Sequence, residues 1–225
     1  MNIELARLHM IEQQIRPWDV LDTRVLALLS AVKRERFVPA AQKALAFADM
    51  EIPLRAPSHE AMAQGQCMLA PRVEARMLQD LAVQPQERVL EIGTGSGYMA
   101  ALLGASAQSV VSLEENADLA TTARRNLIDA GVHNVDVRVA NGAEASAADG
   151  VFDVIVLSGS VAEVPEFLRD KLQVGGRLMA IVGDEPVMRA TLVTRSGPSA
   201  FTSREMWDTV APRLHHFTET EQFSF

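Results

Sequence analysis

A glycine-rich turn with acidic residues on both sides is the feature of this sequence best suited to chemistry. The decapeptide VLEIGTGSGY (89–98) places Glu91 two residues before the first of three glycines. Glycine permits tight turns and lets a ligand approach the backbone closely. Glu114 closes the next apolar run, 21 residues after Gly93. An acid at that distance can accept hydrogen bonds from both ribose hydroxyls, so the pattern predicts a site for an adenosine-containing ligand.

Two mismatches indicate which adenosine ligand the turn suits. A dinucleotide fingerprint would need glycine where the chain has Tyr98, and a Walker P-loop would need a Gly-Lys-Ser/Thr triplet that does not follow. Glu91 would repel a pyrophosphate, whereas it complements a ligand that carries a sulfonium and an ammonium. The turn therefore favours S-adenosylmethionine over NAD, and an NAD-dependent oxidoreductase is a disfavoured alternative.

A parallel sheet is needed to bring these residues together, and the apolar pattern predicts one. From residue 87 onward, short apolar runs alternate with helix-like segments, which is typical of βαβ units in a sheet covered on both faces. The predicted strands are RVLEI (88–92), SVVSLE (109–114), VDVRVA (135–140), FDVIVL (152–157) and GRLMAIVG (176–183). The predicted helices between and after them are 98–103, 116–130 and 164–172.

The C-terminal part of the pattern changes to alternation. The segments VMRATLVTR and AFTSREMWDTV, separated by SGPS, predict an antiparallel hairpin. The predicted fold class is therefore α/β: a Rossmann-like, doubly wound, mostly parallel seven-stranded sheet with an antiparallel C-terminal hairpin and an N-terminal helical cap.

The first 84 residues have a different pattern. Helices are predicted over 2–15 and 22–32, with Asp22 as the cap of the second, and over 71–83. Between them, residues 50–70 show no clear period and are predicted to be a loop, and long loops in compact domains tend to be functional. The predicted organisation is a helical cap and substrate loop (1–84) followed by a donor-binding core (85–225).

Composition limits the partners of the chain. Its 225 residues are 48% apolar and 22% charged, with a net charge of -8, which is ordinary for a globular protein and disfavours nucleic acid or an anionic membrane surface as partner. The single cysteine, Cys67, excludes an internal disulfide and a cysteine-rich metal site, and no metal is predicted. The N-terminus has no continuous apolar run, so a cytoplasmic location is expected.

The chain resembles class I S-adenosylmethionine-dependent methyltransferases over about residues 70–195, through its ExGxGxG loop, the acid downstream of it and its strand pattern. A narrower match resembles the protein-L-isoaspartate O-methyltransferases. The motifs that carry it are RFVP (36–39), AFADMEIPL (46–54), GQ (65–66), VLEIGTGSGY (89–98) and DKLQVGGRLMAIVG (170–183).

The resemblance implies an S-adenosylmethionine cofactor and a set of binding residues. The implied cofactor-binding residues are Met68, Leu69, Glu91, Gly93, Thr94, Gly95, Gly97, Glu114, Asn141, Gly142 and Ser158. The implied substrate-binding residues are Gln66, Cys67 and Ser160. The implied partner is a protein or peptide that carries an isoaspartyl carboxylate, and the implied activity is its O-methylation in damaged proteins.

The chain departs from the family at the substrate segment. Thr-Ile-Ser usually follows Gly-Gln, but here the residues are Cys67, Met68 and Leu69, so a thiol and an isobutyl group replace two hydroxyls. Asn141 stands where the family has aspartate. These departures leave two alternatives open: methyl transfer to another small-molecule or protein acceptor, and a cofactor-binding scaffold that has lost isoaspartyl activity.

No catalytic side chain is predicted, because a carboxylate acceptor is already a charged nucleophile at neutral pH and needs no general base. Catalysis then depends on alignment and on the exclusion of water. Base methylation is disfavoured, since an Asn/Asp-Pro-Pro-aromatic motif is missing after the fourth predicted strand and Cys67 does not follow a proline.

Overall fold

The structure is a computed structural model that describes residues 2–144 and 150–219. Its first part consists mainly of short helices. They and the small strands between them are α1 (Ile3–His9), α2 (Thr23–Ala31), β1 (Ile52–Pro53), α3 (Ser58–Ala63), β2 (Cys67–Met68) and α4 (Pro71–Leu81). The predicted cap of α2 is confirmed, because Asp22 Oδ1 accepts a hydrogen bond from the Arg24 N–H at 2.8 Å. The first predicted helix is interrupted, since α1 gives way to a π-helical turn over Met10–Ile15.

The prediction of an irregular loop over residues 50–70 is wrong. The segment contains α3, and its two ends pair as β1 and β2, with Ile52 opposite Met68 and Pro53 opposite Cys67. These elements are too short to give a period in the sequence, and Gly65 with a φ of +64° forms the turn that lets the chain return. The segment is therefore a compact helical turn whose two ends are joined by the pairing of β1 with β2.

Seven strands form the main sheet. They are β3 (Arg88–Ile92), β4 (Ser109–Glu114), β5 (Val135–Val139), β6 (Phe152–Val161), β7 (Leu172–Asp184), β8 (Val187–Gly197) and β9 (Ala200–Thr209). The strand order is β5-β4-β3-β6-β7-β8-β9. The pairs from β5 through β7 are parallel, and β7-β8-β9 are antiparallel. The predicted fold class is confirmed, including the hairpin, although β7 begins at residue 172 rather than 176.

Helices cover the parallel strands. They are α5 (Tyr98–Gly104), α6 (Ala117–Asp129) and α7 (Glu166–Asp170), the last shorter than predicted. Neighbouring residues of β6 enter different cores: Val154 and Val156 belong to one buried cluster, Ile155 and Leu157 to the other. This alternation explains why the strands are apolar throughout. The first cluster also contains Met10, Leu29 and other side chains of the N-terminal region, so cap and sheet share one core.

Within the described residues, no helix has the length and apolar content that crossing a membrane requires.

Candidate active site

A cleft lies at the carboxyl ends of β3, β4 and β6, where the chain order of the sheet reverses and ligands bind in open α/β folds. This main cleft is open to solvent and has about 630 Å³ of empty space, part of it solvent. Its described lining is Gln64, Gly65, Gln66, Cys67, Ile92, Gly93, Gly95, Leu113, Glu114, Glu115, Asn116, Leu119, Ala140, Gly142, Ser158, Arg213, Leu214, His215 and Phe217. Many of the residues predicted for cofactor and substrate are thus neighbours.

The glycine turn forms the floor of the main cleft. Gly93 has a φ of +93°, which disfavours any other residue, and a Cβ there would lie 3.0 Å from Leu214 Cδ2. Gly97, which caps the start of α5, also has a positive φ. It packs against Ala123 of α6 and does not line the cleft. The turn is therefore built for two close approaches, one to the cleft and one to α6.

Glu114 lies at the end of β4 and reaches the wall of the main cleft. Its carboxylate accepts hydrogen bonds from the Gly95 N–H at 2.8 Å and the Asn116 N–H at 3.0 Å. Burial raises the pKa of Glu114, and these two backbone donors act in the opposite direction. Asn116 in turn caps α6, so the acid is held between the glycine turn and a helix N-terminus.

Glu91, which is predicted to line the cofactor, lies beneath the glycine turn. Its carboxyl is fully buried beneath the turn and does not appear in the described wall of the main cleft. Ser112 donates to it at 2.6 Å and Ser158 at 2.9 Å, while Thr94 Oγ1 lies 2.6 Å from Ser112 Oγ. Burial raises the pKa of Glu91 to about 8. Glu91 thus joins the turn to the end of β6 through hydroxyl groups.

The Ala140-Asn141-Gly142 segment lies at the far side of the main cleft. Ala140 and Gly142 line it, whereas the Asn141 side chain bonds within its own turn, accepting from the Ala143 N–H and donating to Glu144. A Cβ at Gly142 would lie 2.2 Å from an Ile92 carbon, so only glycine fits. The structure therefore brings the segment to the cleft through its backbone rather than through the amide of Asn141.

The substrate segment divides between two cavities. Gln66 and Cys67 line the main cleft, and Cys67 also lines a smaller inner cavity of about 250 Å³. The described lining of the inner cavity is Cys67, Met68, Leu69, Glu74, Gly93, Thr94, Gly95, Ser96, Met99 and Ser158. Burial raises the pKa of the Cys67 thiol to about 12, so the thiol is neutral and unsuited to nucleophilic attack.

Ser158 and Ser160 have separate environments although both end β6. Ser158 lines both cavities. Ser160 is fully buried and lines neither, and its hydroxyl has no partner among the described residues. Its backbone N–H donates to the Pro212 carbonyl at 2.7 Å, and its carbonyl accepts from the Leu214 N–H at 2.9 Å.

Sequence reasoning missed one wall of the main cleft, the C-terminal strap (residues 210–219). The strap bonds to Ser160, and Leu214 packs over the glycine turn. Across the cleft, His215 Nδ1 lies 2.6 Å from Glu115 Oε1 and His216 Nε2 lies 3.2 Å from Glu115 Oε2. The strap has no periodic pattern and pairs by a single bridge, so the sequence offered no signal for its position.

The fold and the main cleft together define a Rossmann-like α/β protein with a candidate ligand site at the switch point of its sheet. The sequence model of the family "Protein-L-isoaspartate(D-aspartate) O-methyltransferase (PCMT)" matches residues 6–210. The chain belongs to this family, and it is a methyltransferase whose cofactor is S-adenosylmethionine.

Relatives named protein-L-isoaspartate O-methyltransferase match most of the chain. A protein from Methanoculleus marisnigri is 40% identical over 79% of this chain and 77% of its own length. One from Koribacter versatilis is 38% identical over 85% of this chain and 82% of its own length.

Solved structures agree on the fold. A Plasmodium falciparum chain described as a protein-L-isoaspartate O-methyltransferase in complex with S-adenosyl-L-homocysteine superposes with a TM-score of 0.76 at 19% identity, covering 95% of this chain and 98% of that one. A second protein-L-isoaspartate O-methyltransferase gives a TM-score of 0.75 at 22% identity, covering 92% of this chain and 65% of that one.

Proposed function

We propose that the chain transfers a methyl group from S-adenosylmethionine to the carboxylate of L-isoaspartyl residues in damaged proteins, as part of protein repair. The observation that carries this proposal is the junction of the two cavities. There the glycine turn, Cys67 and Ser158 are shared by the main cleft and the inner cavity. Family membership supports the same activity.

The residues of the main cleft fit the cofactor. Glu114, held at the cleft wall by two backbone donors, retains acceptor capacity for ribose hydroxyls. The backbone of Gly93, Gly95 and Gly142 allows close approach, and Glu91 supports the turn from beneath through Ser112 and Ser158. We assign Gly97, Thr94, Met68 and Leu69 a supporting role, because they shape the turn or the inner cavity.

The chemistry that the cofactor supplies is an electrophilic methyl group on a sulfonium. The acceptor carboxylate provides the electron pair of the new C–O bond, the C–S bond breaks, and the sulfur keeps its electrons as a neutral thioether. The chain's part is to align the acceptor and to exclude water, for which no general base is needed. We assign Gln66 and Cys67 to the acceptor side. Ser160 is assigned to holding the strap, since its backbone bonds that segment.

We also propose that residues 1–84 act as cap and substrate segment and residues 85–225 as the donor-binding core, although both contribute to one hydrophobic core. Residues 1, 145–149 and 220–225 of this division lie outside the described residues.

The direct test is methyl transfer from labelled donor to a synthetic isoaspartyl peptide, with the same peptide carrying normal aspartate as the matched control. We expect label in the isoaspartyl peptide only, released by mild base as expected for a methyl ester. Label in neither peptide, together with tight binding of S-adenosylhomocysteine, would favour the scaffold alternative motivated by Cys67-Met68-Leu69. A panel of small carboxylates covers the alternative of another acceptor.

A further inference from the structure

Arg34 is a fully buried cation in the N-terminal region, outside both cavities. It lies in a short 3-10 turn, Arg34–Arg36. Its Nη1 donates to Glu74 Oε2 at 2.5 Å and its Nη2 donates to the Leu69 carbonyl at 2.8 Å. The guanidinium also lies over the Tyr98 ring, 5.1 Å from the ring centre. One side chain of the cap thus contacts three elements of the site.

Two of these three contacts are to residues that line the inner cavity. Leu69 ends the substrate segment, and both Leu69 and Glu74 line the inner cavity. Tyr98 is the first residue of α5, directly after the glycine turn. Arg34 is therefore bonded to the substrate segment and packed against the end of the turn at the same time. Among the described residues, no other residue of the N-terminal cap donates a hydrogen bond to the Leu69 carbonyl.

Stability alone does not explain this arrangement. A buried ion pair is weak evidence for stability, because removing two charges from water offsets their attraction. The neighbourhood also keeps polar atoms without a partner among the described residues, namely Arg34 Nε and the Tyr98 hydroxyl. Apolar side chains would fill the same space without those desolvation costs. What the guanidinium adds is a planar fork that fixes two acceptors in one geometry.

We propose that Arg34 is a positioning residue for methyl transfer. It holds the Leu69 carbonyl and the first turn of α4 in register with the glycine turn, and through them it sets where Gln66 and Cys67 place the acceptor. The inference rests on the function proposed above. In-line displacement is sensitive to such placement, since a shift of about 1 Å can lower the rate about 100-fold.

The test uses a charge-neutral pair, Arg34→Met with Glu74→Gln, which leaves no lone buried charge. We expect kcat with the isoaspartyl peptide to fall about 100-fold, while the Kd of S-adenosylhomocysteine changes less than about threefold. The matched control is Arg177→Met with Glu87→Gln. It removes a bidentate ion pair and the bonds to the Leu81 and Ala82 carbonyls at the opposite end of α4, and kcat should stay within about threefold.

The single cysteine gives a second measurement that does not depend on activity. Cys67 is partly buried and lies two residues from Leu69, so its rate of reaction with a thiol reagent reports the packing of the substrate segment. We expect that rate to rise at least about tenfold in the Arg34/Glu74 pair and to stay at the wild-type value in the control pair. A wild-type chain that transfers no methyl would refute the proposed function, while the thiol rates would still test the placement by Arg34.

A conservative variant covers the case in which the double variant does not fold. Arg34→Lys keeps the charge but cannot bind Glu74 and the Leu69 carbonyl through one planar group, so we expect an intermediate loss of kcat, about tenfold. Unchanged kcat and unchanged thiol reactivity in a folded Arg34 variant would overturn the proposal. An equal loss of kcat in the Arg177/Glu87 control would also overturn it, since the effect would then be general destabilisation.

Discussion

Glu91 and Glu114 both flank the glycine turn, yet their carboxyl groups lie in different environments. Glu114 lies at the wall of the main cleft and accepts two backbone N–H groups, whereas Glu91 is enclosed by Ser112 and Ser158 beneath the turn. Sequence spacing predicted that both would be near the cofactor, but it could not separate them. Which acid reaches the cleft depends on the side to which each strand residue points and on the hydroxyls that the neighbouring strands supply.

Replacing Glu114 tests its assignment to the ribose. In Glu114→Ala, the loss of charge-assisted hydrogen bonds should weaken S-adenosylhomocysteine binding by about 2–4 kcal/mol, measured by calorimetry. Glu115→Ala is the comparison, because the adjacent acid bonds the strap instead. We expect the Kd of S-adenosylhomocysteine to be at least about tenfold higher in Glu114→Ala than in Glu115→Ala. Equal effects would show that the ribose assignment is wrong.

Glu91 predicts a pH dependence of stability. Its pKa is raised from an ordinary value of 4.5 to about 8. The carboxyl therefore contributes its full stability below pH 4.5, and that contribution is lost as the pH rises through about 8. We expect Glu91→Gln, a neutral isostere, to match the wild-type Tm near pH 4, to exceed it increasingly as the pH rises from 4.5 to about 8, and to exceed it by several degrees at pH 9. Thermal unfolding across this range checks the difference, and parallel curves would contradict it.

At the scale of elements, the sequence predicted what depends on strong local patterns. The strands β3, β4 and β6, the hairpin of β8 and β9, and the glycine turn all followed from apolar periodicity and glycine spacing. The strap and the structure within residues 50–70 did not. The strap pairs with β6 by one bridge and is otherwise held by side-chain contacts such as Leu214 on glycines and His215 with Glu115, and β1 and β2 have two residues each. Such elements are defined by tertiary contacts, which leave no period in the sequence.

The packing of the strap on Gly159 gives a prediction at the scale of elements. A Cβ at Gly159 would lie 2.8 Å from Leu214 Cδ2 and 3.0 Å from the Pro212 carbonyl oxygen. Gly159→Ala should therefore displace the strap, lower stability by about 1–3 kcal/mol and weaken S-adenosylhomocysteine binding. Adding Leu214→Ala should restore part of the stability, because it removes the closest clash. Gly197→Ala, where the new Cβ meets only an ordinary 3.4 Å contact, is the control.

The free energies of unfolding of Gly159→Ala, Leu214→Ala and the double variant are measured by denaturant unfolding and compared as a double-mutant cycle. Strictly additive losses in Gly159→Ala and Leu214→Ala would mean that the strap does not pack on Gly159.

At the scale of the whole molecule, the net charge of -8 affects the acceptor more than the donor. An isoaspartyl carboxylate must approach an acidic protein, so flanking residues of the substrate should matter. We expect peptides with Lys or Arg beside the isoaspartate to show a KM about 3–10-fold lower than peptides with Glu or Asp there, at low ionic strength. Raising the salt to about 0.5 M should reduce the difference. A salt-independent preference would point to specific contacts instead.

The main cleft is walled by segments that range from residue 64 to residue 217. A ligand that recognises this complete surface has little to bind in a partly folded chain, because the walls meet only when distant parts of the chain have come together. Donor binding should therefore slow unfolding and leave the folding rate unchanged. The lifetime of the enzyme would then follow the supply of methyl donor, and a cell short of that donor would lose the protein itself along with its reaction.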